Sequence, residues 1–277
     1  MSKCIKTCFG WALAVIGVLF SFIPETCFEW WKAIPCWCDE YNVILVRLIF
    51  LAGIYVFCII AYLIVQKARR KVKISGKNYI IEVKYGDFFQ PDKIFKKPNK
   101  KVIAFDECFT TKIGSEPHQI KPTSICGQYL QKYLEENVDV KTEVLRSHLT
   151  PEVEKSKYNN LDRYESGRVI SHGDFLWLAF VKLDQEGLGH WTREEYLKSL
   201  EVLWTELDKY YGSTDVCIPI LGGGLTRADG WNPNQQELLD TIIASYQLSA
   251  RKIKKPYKLR IICRRDDVDI NMIGGNI

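Results

Sequence analysis

The sequence predicts an α/β protein in two parts: an N-terminal two-helix transmembrane hairpin, then a domain whose mixed sheet carries helices on both faces. Three observations predict it. Two long apolar runs fall within the first 65 of 277 residues, strand-like runs alternate with amphipathic helices from residue 77 onward, and positive charge gathers between the two parts. Residues 66–101 hold twelve Lys/Arg against three acids, whereas residues 102–277 hold 22 against 26. A basic stretch directly after a hydrophobic span points to anionic lipid headgroups and argues against nucleic acid as a partner.

Cys8–Ile23 is sixteen residues without a charge, after Lys3 and Lys6 and before Pro24. At a rise of about 1.5 Å per residue it reaches roughly 24 Å, short of a bilayer core of about 30 Å unless the lysines snorkel. A cleaved signal peptide has the same basic start, but no small-x-small exit follows. The second run, Asn42–Val65, is interrupted only by Arg47, so spans are expected over about 8–23 and 43–65. Arg47 either snorkels or lines a polar interior once several hairpins assemble. Trp30, Trp31, Trp37 and Tyr41 form an aromatic belt between the runs, where acids outnumber bases, while Lys/Arg crowd the other side. Both termini are therefore expected in the cytoplasm. Residues 66–76 read as a basic juxtamembrane linker, 77–265 as the folded domain and 266–277 as a tail.

Within the domain, Lys77–Tyr85 has strand composition and is broken by Gly86-Asp87-Phe88. Lys101–Phe105 is a short apolar strand that ends in Asp106-Glu107-Cys108. Ser124 caps a helix with Ile125, Tyr129, Tyr133 and Leu134 on one face. Residues 145–166 are polar and irregular. Arg168–Ser171 and Phe175–Leu183 read as strands separated at Gly173. Thr192 and Glu195 have capping-box spacing, ahead of a core stripe of Leu197, Leu200, Trp204, Leu207 and Tyr211. Asn232-Pro233 opens a last helix with Leu239, Ile242, Ile243 and Tyr246 facing inward, and Tyr257–Cys263 is a last strand.

The chemistry centres on Asp215–Gly230. A buried strand, Val216–Leu221, runs into Gly222-Gly223-Gly224 and then Leu225-Thr226-Arg227. Without Cβ atoms, backbone N–H groups can converge on a phosphate, and a hydroxyl and a guanidinium follow at once. A tight turn after a core strand is the other reading. The ten cysteines include no CxxC pair, so no metal site is expected. Cys108, Cys126, Cys217 and Cys263 read as buried thiols. His118, His148, His172 and His190 are scattered, and no catalytic residue is assigned.

Over roughly residues 75–265 the chain resembles a macro domain, the ADP-ribose-binding module. Val83–Phe88 is similar to the family's early strand and Gly-Asp-hydrophobic turn. The resemblance implies that Asp87 accepts from the adenine amino group and that the Phe88 amide meets the ring. Val102–Cys108 is similar to the second strand and its exit. Cys217–Thr226 is similar to the strand and glycine loop that wrap the diphosphate and distal ribose. The implied ligand-binding set is Asp87, Phe88, Asp106, Glu107, Cys108, Ser124, Ile125, Cys126, Gly127, Leu221, Gly222, Gly223, Gly224, Leu225, Thr226 and Arg227. Two family features are missing. Asp106-Glu107-Cys108 replaces the Asn-Ala-Ala-Asn stretch, and Thr123–Gly127 replaces the first glycine-rich loop. Hydrolytic members depend on both, so the resemblance implies binding without turnover and a modified ADP-ribose ligand. Asp106 and Glu107 either receive a cationic group of that ligand or are solvated strand-end acids.

Two spans joined to a divergent macro domain resemble the membrane effectors of bacterial type II Thoeris anti-phage systems. That implies a TIR-domain partner enzyme making an ADP-ribose derivative that carries histidine. It also implies homo-oligomerisation, damage to the inner membrane, and no other cofactor. Two further readings stay open: a membrane-tethered ADP-ribosyl hydrolase, and a structural anchor with a degenerate nucleotide fold.

Overall fold

A computed structural model describes residues 39–68, 71–90, 98–224, 227–264 and 270, with scattered helical positions between 10 and 18. The chain divides into two compact units, residues 1–69 and 70–277. In the first, helix α1 (Asp39–Ala68) is 30 residues long. Its segment Glu40–Ala61 is the one helix among the described residues long and apolar enough to cross a membrane. It starts and ends a turn beyond the expected span. The expected first span over 8–23 and its following aromatic belt lie, apart from those scattered positions and Tyr41, outside the described residues.

In the second unit nine strands form one mixed sheet. They are β1 (Lys71–Ser75), β2 (Ile80–Tyr85), β3 (Asn99–Asp106), β4 (Val169–His172), β5 (Phe175–Leu183), β6 (Gly189–Thr192), β7 (Asp215–Pro219), β8 (Arg227–Asp229) and β9 (Leu259–Cys263). Their order is β1-β2-β9-β7-β3-β5-β6-β8, with β4 against β5. Residues 71–75, expected within a linker, are thus an edge strand paired antiparallel with β2. Alternation sorts the central strands between two cores. Val102, Leu176, Leu178, Val216, Ile218 and Ile261 face α4 (Arg193–Tyr210) and α5 (Gln235–Leu248). Ile103, Phe105, Trp177, Cys217 and Ile262 face α2 (Ile125–Lys132) and α3 (Val140–Arg146). Helices therefore cover both faces, as a fully buried parallel centre requires.

The caps explain where the helices begin. Thr192 and Glu195 bond reciprocally at the start of α4, as their spacing predicts. The stripe of α4 is centred on Tyr196, Leu200, Leu203, Trp204 and Leu207, which leaves Leu197 at its exposed margin. The last helix begins two residues later than Asn232-Pro233 predicts. Asn234 is its cap, because only Asn234 has Glu237 three residues on to return the bond to its backbone.

Beneath the sheet's amino end lies a buried ion network. Arg260 bridges Asp215 and Glu82, and Lys71 and Lys258 also reach Glu82. Burial works to raise the Glu82 pKa, but the lysine hydrogen bonds and Arg260 outweigh it and hold the carboxyl below its ordinary value.

Candidate ligand-binding site

Strands β2, β9, β7, β3 and β5 run parallel, so their carboxyl ends share one edge. The registers place the expected site residues along it. Ile81 and Val216 both align with Leu259, and β2 and β7 end at Tyr85 and Pro219, so Asp87 and Gly222 follow two and three residues beyond those ends. Lys101 aligns with Cys217, and Asp106 closes β3 after a register shift at Phe105/Asp106. At about 4.8 Å per strand, the row from β2 to β3 is roughly 14 Å long. Ligands of open α/β sheets sit beyond such ends.

The glycine turn is held from three sides. Tyr196 donates its hydroxyl to the Leu221 carbonyl at 3.0 Å. Gly222 has φ +80°, and a Cβ there would lie 2.9 Å from Trp191 Cζ2 and 3.1 Å from Tyr196 Cε2. Gln235, the first residue of α5, donates Nε2 to the Gly223 carbonyl at 2.8 Å. A Cβ on Gly224 would meet nothing within 4 Å. Two carbonyls of the turn are thus occupied, while the amides of Gly222, Gly223 and Gly224 donate to no other described residue. Leu225 and Thr226 lie outside the described residues. Arg227 opens β8, its backbone paired with His190.

At the β2 end, the Gly86 amide donates to the Cys263 carbonyl, and Asp87 Oδ1 accepts from the Phe89 amide at 2.9 Å. That leaves Oδ2 without a partner among the described residues. Phe88 is buried, and Phe89 stacks on Tyr133 with centroids 4.3 Å apart.

At the β3 end the two acids are not solvated as strand-end residues would be. Asp106 Oδ1 accepts from the amides of Cys108 and Thr110, and its other oxygen from the Thr110 hydroxyl. Burial still raises its pKa against those bonds. Glu107 is buried, and its Oε1 accepts from Ser156 Oγ at 2.7 Å and the Leu183 amide at 3.3 Å. It anchors the irregular 147–166 segment. Burial pushes the Cys108 thiol up to about 12 and Cys126 well above its usual range, so both are poor nucleophiles.

Ser124 caps α2, accepting from the Gly127 amide at 3.0 Å and donating to the Lys121 carbonyl. A Cβ on Gly127 would lie 2.2 Å from the Lys121 carbonyl oxygen, so this glycine lets the loop pass close to the helix. Ile125 and Cys126 form the first turn of α2. Trp191, Tyr196 and Gln235 escaped the sequence reading because nothing in their local pattern shows that they meet the turn. So did a His190–Asp229 pair at 3.0 Å, formed across the β6–β8 ladder.

The family model for the Thoeris protein ThsA macro domain matches residues 81–264. The chain is 28% identical over 229 residues to the Thoeris protein ThsA of Bacillus amyloliquefaciens (strain Y2), covering 80% of this chain and 75% of that protein. A solved macrodomain mutant of Oceanobacillus iheyensis is similar over 72% of this chain and 93% of its own, with TM-score 0.39 and 11% identity. On the match to its family model, the chain belongs to the Thoeris ThsA macro-domain family.

Proposed function

We propose that this chain is an anti-phage defence protein whose macro domain binds an ADP-ribose-type ligand at the carboxyl edge of its sheet. The observation that carries the reading is the row of three consecutive amides, Gly222–Gly224, that donate to no described residue, in the turn after the central strand β7. Unmatched N–H groups on one turn favour an anion, and a diphosphate presents enough oxygens to take all three. The open oxygen of Asp87, just beyond the end of β2, suits an exocyclic amine. The ligand is an ADP-ribose derivative carrying histidine, made by a TIR-domain partner. Binding favours assembly of several copies in the inner membrane, both termini cytoplasmic, and the assembled spans breach it. Such coupling requires the ligand to bind the assembled arrangement more tightly. The protein binds without turnover.

Calorimetry on the full chain in nanodiscs, with ADP-ribose and its histidine-linked derivative, tests the reading. Gly224→Glu places a negative charge at an open position. It should abolish binding and leave the unfolding temperature unchanged. Wild-type protein that binds neither compound would end the proposal.

A hydrolase reading is favoured by one observation, the His190–Asp229 pair beside the strand that follows the turn. Release of ADP-ribose from a modified protein, lost in His190→Ala, would support it over simple binding.

A further inference from the structure

The domain satisfies its buried indoles, with one exception. Trp177 donates to the Tyr129 hydroxyl at 2.7 Å, and Trp204 donates to Ser245 Oγ at 3.1 Å. Trp191 is 3% exposed, yet its Nε1 is closed to solvent and has no acceptor among the described residues. An unmet buried donor destabilises the fold that holds it, and native proteins keep few of them.

Its position is specific. A Cβ on Gly222 would lie 3.5 Å from Trp191 Cε2, the carbon bonded to Nε1. The indole edge therefore lies against the turn whose three amides also donate to no described residue. The turn's own carbonyls offer little, since those of Leu221 and Gly223 already accept from Tyr196 and Gln235. The ring is fixed from behind by Tyr196 and Trp231, with centroids at 4.8 and 5.4 Å. Trp191 Nε1 thus sits beside Gly222, the first of three successive amides that donate to no described residue.

We propose that Trp191 Nε1 is a ligand-binding donor that joins the Gly222–Gly224 amides on the anionic oxygens of the ligand's diphosphate. The inference rests on the ADP-ribose reading above and adds a side chain to it. Because Nε1 is closed to solvent, the anion reaches it only as the turn shifts.

The test replaces Trp191 in the full chain by benzothienylalanine, which keeps the fused rings and puts sulfur where the N–H stood. Trp191→Phe serves as the second variant. Both are titrated with ADP-ribose in nanodiscs and melted without ligand. The sulfur analogue is expected to raise Kd by about tenfold or more, the effect of one hydrogen bond to a charged group, with an unchanged or higher unfolding temperature. An unchanged Kd with a higher unfolding temperature would overturn the proposal, leaving the N–H a structural defect. Affinity lost only in Trp191→Phe would also overturn it, since ring shape would then be what matters. Wild-type protein that fails to bind ADP-ribose would remove the diphosphate reading itself, which is a separate result.

Discussion

Alanine at Gly222 is the sharpest perturbation of the site, because two independent costs fall on one methyl group. The backbone there has φ +80°, where an L-residue costs about 1–2 kcal/mol. The Cβ would also stand 2.9 Å from Trp191 Cζ2 and 3.1 Å from Tyr196 Cε2. Both rings are almost fully buried, so neither can swing aside, and overpacking of this kind costs about 1–3 kcal/mol. Together these predict a loss of about 2–5 kcal/mol. For a domain of this size that lowers the unfolding temperature by roughly 5–15 °C. Gly224→Ala is the control: its φ is not positive, its Cβ meets nothing, and its effect should stay within about 0.5 kcal/mol. Circular dichroism melts of the full chain in detergent, with and without ADP-ribose, read both. If the two variants melt together, the turn is not held against Trp191 and Tyr196 as described.

Glu107→Ala leaves the Ser156 hydroxyl and the Leu183 amide without their shared acceptor. It should cost about 1–3 kcal/mol and speed proteolysis within residues 147–166, while Glu107→Gln, which keeps an acceptor oxygen, should cost less than half of that. Two carboxylates give opposite pH dependences. Asp106 has a raised folded pKa, so its contribution is complete below the unfolded value of about 3.9 and is lost as pH rises through the folded pKa. Glu82 has a lowered one, so its contribution is present above about 4.3 and is lost as pH falls through the folded pKa. Relative to wild type, the melting temperature of Asp106→Asn should therefore climb with pH and that of Glu82→Gln should fall; parallel curves would refute both. With its thiol near 12, Cys108 should react with iodoacetamide at pH 8 about a thousandfold more slowly than an ordinary cysteine, by peptide mass spectrometry on the folded protein.

The parts of the fold legible in the sequence are those that local physics decides. Val216–Leu221 and Phe175–Leu183 are apolar enough to be buried on both faces. The Thr192–Glu195 box announces α4 because both of its bonds are made within four residues. The missed elements are short and depend on distant partners. Strands β6 and β8 hold four and three residues, and exist because His190–Thr192 find Arg227–Asp229. Strand β1 reads as a charged connector until Lys71 is seen to pair with Glu82, a residue whose own burial the sequence does not show. The glycine turn was visible because three glycines in a row have few other uses. Trp191 was not, since an indole ahead of a capping box looks like core, and only its missing acceptor sets it apart.

The same accounting changes what the β3 acids can do. Recognition of a cationic group needs a carboxylate with an oxygen to spare. Asp106 is engaged by two amides and a hydroxyl, all within its own turn, and Glu107 points inward to Ser156 and Leu183. A ligand cation could use Asp106 only by breaking bonds that hold the strand exit, and Glu107 is closed to it by burial. Asp87 and Asp229 differ: both are exposed, and each keeps one carboxylate oxygen without a partner among the described residues. Asp87 stands two residues beyond the end of β2, and Asp229 is the last residue of the strand that follows the glycine turn. A diphosphate gripped by the turn, with its adenine amine at Asp87, would thus carry a positive group on its far end toward Asp229, while Asp106 and Glu107 fix the shape of the edge.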